Sequence, residues 1–122
     1  MTTAPSLHEL VVHSTRPDEL EQWYRDALAL PGGRRRLHAG GVLMRFSADP
    51  SLPARACEPM RLMPNFVVDD ASSAERRLVA MGATWIRELE ATEWGRIATV
   101  LDPDGNYVQL FELPSTDGAA TP

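Results

Sequence analysis

The chain has 122 residues, a length that suits one compact domain, residues 1–122, with an ordinary hydrophobic core. Its formal net charge of −5 argues against nucleic acid or an anionic membrane surface as a partner. The single cysteine, Cys57, excludes an intramolecular disulfide and favours a cytoplasmic, reducing compartment. No apolar run approaches the ~20 residues of a membrane span. Every basic residue is Arg, which we attribute to the codon usage of a GC-rich bacterium.

The chain begins with a predicted strand and an amphipathic helix. Leu7–Ser14 is apolar on both faces at its centre, which is typical of a strand buried on both sides. Thr15 with Asp18 three residues later predicts a capped helix start, and Pro31 ends the helix. The apolar positions that recur at helical spacing are Leu20, Trp23, Tyr24, Ala27 and Leu28.

Two strands and a connector complete the first half. The pattern predicts strands over Arg34–His38 and Val42–Ser47, joined at a glycine pair. The first of these strands begins with the basic run Arg34, Arg35 and Arg36. We expect these arginines to protect an exposed edge strand with their charge, and the alternative is that one of them meets an anionic ligand. The proline-rich stretch Asp49–Pro59 predicts a connector.

The second half repeats this order of elements. Leu62–Val68 predicts a strand, Asp70 an N-cap and Gly82 the C′ glycine of a second helix. Thr84–Arg87 predicts a short strand, followed by a loop over Glu90–Gly95. A repeat of about half the chain indicates two paired modules rather than a solenoid, which needs three or more short units.

The chain closes with a hairpin whose turn has a physical basis. Pro103 presets φ, Asp104 can bond its own backbone and Gly105 supplies a positive φ. Alternating strands flank this turn from Arg96 to Glu112. Residues 1–6 and 115–122 are small and polar, and we expect both tails to be flexible.

These motifs resemble the vicinal oxygen chelate superfamily, which includes glyoxalases, extradiol dioxygenases and bleomycin-resistance proteins. The matching segments of the second half are Phe66–Asp70, Ala80–Ala83, Trp94–Arg96 and Asp102–Asn106. In the first half, Trp23–Leu28 is similar to the family's Phe-Tyr-x-x-x-Leu-Gly, with Ala29 where the glycine belongs.

The resemblance implies an α+β fold of two βαβββ-type modules whose curled sheets surround a cleft. Module one then covers about residues 7–59 and module two about 60–114. Module one is short after its helix, so we expect one of its usual three small strands to be missing or merged. It also implies a homodimer in which modules of the two subunits face one another.

The family's metal site takes one residue from each of four strands, typically His or Gln, Glu, His and Glu. The matching residues here are Glu9, Met44, Met63 and Gln109, and a register slip of one would exchange Glu9 for His8. Two thioethers and an amide suit a catalytic divalent ion poorly. We therefore expect no metal and no cofactor at this site, and expect the methionines to line an adaptable apolar pocket.

Two polar residues of the first strand are candidate acid–base groups. Glu9 and His13 point to the same side of a strand, and a buried carboxylate beside an imidazole can transfer protons near neutral pH. The alternative is that His13 lies at a strand end in contact with solvent.

The favoured hypothesis is metal-free binding of a small apolar or aromatic molecule, similar to the antibiotic-sequestering branch of the superfamily or to natural-product handling. Trp94 would stack on a flat ligand or, equally, anchor its own loop. The expected ligand-binding residues are Met44, Phe46, Met63, Trp94, Tyr107, Gln109 and Phe111. The alternatives are an enzyme using Glu9 and His13 as catalytic residues, a metal-dependent lyase or dioxygenase with atypical ligands, and a protein-interaction domain.

Overall fold

A computed structural model describes residues 4–114. The predicted flexible tails lie largely outside this range, and residues 4–6 are exposed. The chain divides into two compact units, unit 1 up to Ala54 and unit 2 from Arg55. Each unit has the order strand, helix and three strands, so the predicted α+β class and the two βαβββ modules are confirmed.

Unit 1 builds a four-stranded sheet on one helix. Its elements are β1 (Glu9–Ser14), α1 (Pro17–Leu28), β2 (Gly32–Gly33), β3 (Arg36–Ala39) and β4 (Val42–Ala48). The strand order is β1-β4-β3-β2, with β1 parallel to β4 and the other pairs antiparallel. Module one therefore keeps three strands after its helix, although β2 has only two residues.

Helix α1 packs its predicted apolar face into the core of unit 1. Leu20, Tyr24 and Ala27 are almost completely buried, and the Tyr24 ring lies 5.6 Å from that of Phe46 on β4. The predicted Thr15 cap is wrong: Arg16 is the N-cap residue and its side chain makes no capping bond. Proline at the start of the helix tolerates this because it has no N–H to satisfy.

The predicted single strand over Arg34–His38 is also wrong. Arg34 and Arg35 form the turn between β2 and β3, and Arg35 adopts a left-handed φ of 60°. Two acids of α1 hold this turn: Asp18 accepts from both guanidinium groups, and buried Glu21 accepts from the Arg35 backbone N–H at 2.8 Å. These long-range bonds stabilise a backbone conformation that arginine rarely adopts.

Unit 2 repeats the topology of unit 1. Its elements are β5 (Asn65–Val67), α2 (Ala71–Ala80), β6 (Trp85–Thr92), β7 (Gly95–Leu101) and β8 (Tyr107–Glu112). The strand order is β5-β8-β7-β6, with β5 parallel to β8. Strand β5 is shorter than the predicted Leu62–Val68.

Both ends of α2 are capped as the sequence predicts. The Asp70 side chain accepts from the backbone N–H groups of Ser72 and Ser73. At the other end, Gly82 has a φ of 71° and its N–H bonds to the Val79 carbonyl, while the Ala83 N–H bonds to that of Leu78. This pair of bonds is the Schellman motif.

The segment predicted as a loop over Glu90–Gly95 is mostly strand. Strand β6 continues to Thr92 and pairs with β7 through two register shifts, leaving only Glu93 and Trp94 as a turn. The charged residues of β6 hide the alternation of apolar and polar residues that predicts a strand. Backbone pairing with β7 forms the strand without that alternation.

The final hairpin has the predicted strands and turn. Asp102 is 4% exposed, and its Oδ1 accepts from the backbone N–H groups of Asp104 and Asn106, both at 2.9 Å. Gly105 has a φ of 82° and donates to the Asp102 carbonyl. One buried carboxylate thus organises the whole turn.

The connector belongs partly to unit 2. The Ala56 N–H bonds to the Asp104 carbonyl, and the Pro59 and Pro64 carbonyls bond to N–H groups of β8. The division between the two units falls between Ala54 and Arg55, within this connector. Neither the 12-residue α1 nor the 10-residue α2 is long and apolar enough to cross a membrane.

Candidate functional site

Each sheet has a helix-covered face and an opposite face, which we call its open face. In unit 1, Phe46 packs on α1, so alternation turns the neighbouring positions of β4 away from the helix. Strand pairing extends this assignment to β1 and β3. The open face of unit 1 comprises Glu9, Val11, His13, Arg36, His38, Leu43, Arg45 and Ser47.

Two expected ligand-binding residues lie on the other side of this sheet. Met44 and Phe46 are 2% and 1% exposed in the core of unit 1. Met44 and Phe46 therefore do not lie on the open face, where a ligand contact was expected. The sequence match of Met44 to Gln109 is off by one residue, and a shift of one residue exchanges the two faces of a strand. A ligand on the open face would meet Leu43 and Arg45 instead.

The pairing pattern identifies the true counterpart of Gln109. Val11 and Asn65 stand at the same distance before their helices, and they pair with Arg45 and Gln109 respectively. Arg45, not Met44, is therefore the equivalent position in module one.

Glu9 forms an ion pair with Arg45 across the open face of unit 1. The Arg45 Nε and Nη2 donate to the two carboxylate oxygens of Glu9, each at 3.2 Å. These hydrogen bonds lower the pKa of the Glu9 carboxyl, with smaller contributions from the charges of Arg45, Arg36 and His8. The pKa of the Glu9 carboxyl is thus lowered, whereas proton transfer near neutral pH would need a raised one.

His13 lies on the same open face with its side chain exposed, one residue before buried Ser14, which ends β1. Within residues 4–114, no hydrogen bond joins His13 to Glu9. The nearby charge is that of Asp49, whose carboxyl pKa is lowered chiefly by hydrogen bonds from Ser51 and also by His13. This position agrees with the alternative in which His13 lies near a strand end in contact with solvent. A catalytic role of His13 stays a prediction.

The residues at the family's metal positions do not fit a divalent ion. In unit 1 the Arg45 guanidinium engages both oxygens of Glu9, and its positive charge opposes a cation there. In unit 2 the corresponding groups are the thioether of Met63 and the amide of Gln109. Among the described residues, no three His, Cys, Asp or Glu side chains come together as a metal-binding group.

The open face of unit 2 follows from the side chains that reach α2. Glu112 accepts from the Ala71 N–H at 2.7 Å, and Arg96 donates to the Ser72 hydroxyl at 2.9 Å. Alternate residues of β7 and β8 therefore face away from α2. They and their partners on β5 form the open face of unit 2: Asn65, Val67, Ile97, Thr99, Leu101, Tyr107, Gln109 and Phe111.

A polar row crosses this largely apolar face. Gln109 lies between Asn65 on β5 and Thr99 on β7, as direct neighbours in the two ladders. The side-chain amides of Asn65 and Gln109 make no hydrogen bond to another described residue. Asn65 and Thr99 were missed at the sequence level, because only the pairing of the strands brings them beside Gln109.

Aromatic residues lie on both sides of the polar row. Tyr107 and Phe111 are half-buried on the same face of β8 as Gln109, and Val67 beside Phe111 is 63% exposed. A Cβ at Gly95 would lie 3.0 Å from Phe111 Cζ, so the glycine leaves room for that ring. Tyr107, Gln109 and Phe111, three of the expected ligand-binding residues, thus lie on one face of β8, and their role in binding stays a prediction.

The remaining two expected ligand contacts lie outside the strands. Met63 precedes β5 and is 37% exposed. Trp94 occupies the turn between β6 and β7 and is 72% exposed, and its backbone N–H donates to the Thr92 hydroxyl. Such exposure disfavours the alternative in which Trp94 is a packing anchor.

Comparisons with known proteins agree on one family. The model of the glyoxalase-like domain matches residues 9–111. No curated protein sequence matches significantly. Among solved structures, a glyoxalase/bleomycin resistance protein/dioxygenase family enzyme from Burkholderia phytofirmans PsJN has a TM-score of 0.75 and 17% identity, covering 90% of this chain and 100% of that one.

Two further solved structures share the fold. TnmS3, an antibiotic binding protein from Streptomyces sp. CB03234, has a TM-score of 0.66 and 21% identity, covering 93% of this chain and 100% of its own. The oxidase ChaP-H2 has a TM-score of 0.72 and 18% identity, covering 92% and 96%. The family match over most of the chain identifies the protein: it belongs to the glyoxalase-like domain family, within the vicinal oxygen chelate superfamily.

Proposed function

We propose that this protein binds a small, largely apolar or aromatic molecule without a metal ion, on the open face of unit 2. Its biological role would be sequestration of an antibiotic or the handling of a natural product. The shared fold with TnmS3, an antibiotic binding protein, supports this class of ligand.

The adjacent amides of Asn65 and Gln109 are the observation that carries the proposal. Each amide offers donors and acceptors that no other described residue uses, and the surrounding face is apolar and aromatic. Concave or flat apolar surfaces with few convergent polar groups are typical of small-molecule sites. The amides would fix the orientation of the ligand, while Tyr107 and Phe111 would supply most of the contact area.

The test is calorimetric titration of the protein with a panel of planar aromatic natural products. We expect at least one to bind with micromolar affinity or better. Gln109→Leu keeps a similar volume but removes the amide, and should weaken binding about tenfold, since an unsatisfied polar ligand group costs ~1–3 kcal/mol. Trp94→Ala should weaken it by a similar factor through lost stacking.

The other glutamine provides the matched control. Gln22 lies on α1, where its amide donates to Asp26 at an exposed position. Gln22→Leu should leave ligand affinity unchanged. Titration curves that are unchanged in both Gln109→Leu and Trp94→Ala would refute the proposed site.

The proposal that the protein binds no metal ion is tested separately. The protein would be incubated with nickel, zinc, manganese or iron(II), desalted and assayed for metal content. We expect no stoichiometric retention, because Arg45 opposes a cation at Glu9. About one ion per chain would overturn this part of the proposal and direct attention to Glu9 and Gln109 as ligands.

An enzymatic role is the second candidate, since Glu9 and His13 share the open face of unit 1. In that case Glu9→Gln or His13→Gln should abolish conversion of a bound compound while its affinity persists. The low pKa of the Glu9 carboxyl counts against Glu9 as a base at neutral pH.

The assembly and location of the protein are also proposals. We propose a homodimer, on the resemblance to the superfamily, and light scattering of untagged protein tests it. We further propose a cytoplasmic location, because the one cysteine, exposed Cys57, needs no oxidising compartment.

A further inference from the structure

The open face of unit 1 differs in chemistry from that of unit 2. Two arginines, Arg36 and Arg45, lie on it as direct neighbours on paired strands, and Glu9 is the one acidic residue among its members. The exposed imidazoles of His13 and His38 lie on the same face. This surface is therefore cationic on a protein whose formal net charge is −5.

The guanidinium groups of Arg36 and Arg45 both have N–H donors that are available for a ligand. Arg45 uses its Nε and one Nη2 hydrogen on Glu9, which leaves the end-on edge of the guanidinium, formed by Nη1 and Nη2, for another acceptor. The Arg36 side chain is exposed and makes no hydrogen bond or ion pair with another described residue. Elsewhere in unit 1, by contrast, Arg25 and Arg35 bond to acids of α1.

Glu9 fixes the orientation of the Arg45 guanidinium. Two hydrogen bonds of 3.2 Å hold the group by its side edge, and the Arg45 side chain remains 38% exposed. An arginine held in this way loses less conformational freedom when it binds a second planar anion. Glu9 is thus a positioning residue, and the exposed edge of Arg45 is the binding element.

From this arrangement we propose that the open face of unit 1 binds the carboxylate of a small organic acid through Arg36 and Arg45. The forked geometry of a guanidinium matches the two oxygens of a carboxylate. The binding needs no metal and no contribution from unit 2. It is therefore independent of the function proposed for the amide row.

The test is an NMR titration of full-length, arginine-labelled protein, with the side-chain Nε–Hε signals observed at low ionic strength. Benzoate is the probe, benzamide is its neutral counterpart, and sulfate is a tetrahedral anion. We expect saturable shifts of the Arg36 and Arg45 signals with benzoate, which weaken as salt is added. Benzamide should cause no such shifts, and sulfate should bind more weakly than benzoate.

Arg36→Gln provides the decisive variant. The Arg36 side chain is exposed and bonds to no other residue within 4–114, so the variant should fold, and the benzoate affinity at Arg45 should fall about tenfold. Arg61→Gln is the matched control, because Arg61 is an exposed arginine of unit 2 that bonds to Glu58. It should change nothing.

Several results would overturn the proposal. Equal shifts with benzoate and benzamide would mean that charge is not recognised, and tighter binding of sulfate would exclude a carboxylate site. Equal shifts at Arg61 would mean non-specific association, and no shifts at tens of millimolar benzoate would mean no site. The calorimetric experiment with Gln109→Leu is unaffected by any of these outcomes, so the two proposals fail separately.

Discussion

Substitution of Met44 and Met63, the two methionines that the sequence predicts as ligand contacts, tests which face of each sheet meets a ligand. Met44 is 2% exposed in the core of unit 1, whereas Met63 is 37% exposed before β5. Burial of a whole methionine side chain is worth ~1.5–3 kcal/mol, and the cavity left by truncation adds to this. We expect Met44→Ala to lower the free energy of unfolding by about 3 kcal/mol. Met63→Ala should lower it by less than about 1 kcal/mol.

Urea unfolding followed by far-UV circular dichroism measures both effects, because this signal reports on the helices and sheets of both units. Ligand affinity, measured by calorimetry on the folded variants, provides the second readout. Met44→Ala should leave affinity unchanged, whereas Met63→Ala should reduce it. Equal losses of stability, or a loss of affinity confined to Met44→Ala, would refute the assignment of Met44 to the core side.

Three further predictions concern the stability of each unit. Gly95→Ala should lower the free energy of unfolding by at least about 2 kcal/mol, since φ is 141° and the new Cβ would lie 2.3 Å from the Glu112 carbonyl oxygen. Gly41→Ala, with open space around its Cβ, should change it by under about 0.5 kcal/mol, and equal unfolding midpoints would contradict this reasoning. Glu21→Ala should cost about 2–4 kcal/mol in urea unfolding, because it leaves the Arg35 N–H of the β2–β3 turn without its acceptor; a neutral result would mean that the turn does not depend on α1. Hydrogen bonds from the Ser73 side chain, and then from the backbone of Ser73 and Ser72, hold the pKa of the Asp70 carboxyl below its ordinary 3.8. Asp70 therefore contributes its full stabilisation above pH 3.8, and this stabilisation is lost as the pH falls through the lower pKa of the folded state. The difference in unfolding free energy between wild type and Asp70→Ala should shrink in acid. A difference that stays constant with pH would contradict the role of Asp70 as the N-cap.

The parts of the fold that the sequence predicted correctly depend on local chemistry. Asp70 and Gly82 mark the ends of α2 through bonds to residues within one turn. The final hairpin likewise contains its own turn signal, with Asp102 bonding to Asp104 and Asn106. Such signals act over a few residues and need no knowledge of the rest of the chain.

The parts that were wrong depend on distant partners. Arg35 adopts a left-handed turn because Asp18 and Glu21, on the preceding helix, bond to it. Strand β6 extends through charged residues because β7 pairs with it. Neither partnership leaves a periodic pattern in the local sequence.

The candidate site was predicted in part for a related reason. Placing Gln109 with Tyr107 and Phe111 needed only the period of a strand. The match between Met44 and Gln109 failed because a shift of one residue exchanges the two faces of a strand. The pairing of β1 with β4 resolves that choice in favour of Arg45.

The most direct test of the proposed binding face observes the side-chain amide signals of Asn65 and Gln109 by two-dimensional NMR. The protein would be titrated with the tightest-binding aromatic compound from the calorimetric panel. If the open face of unit 2 binds the ligand, both amide signals should shift saturably with the calorimetric affinity, and the Gln22 signal on α1 should not shift. Shifts confined to the helix-covered faces, or unchanged signals of Asn65 and Gln109 at saturation, would contradict it.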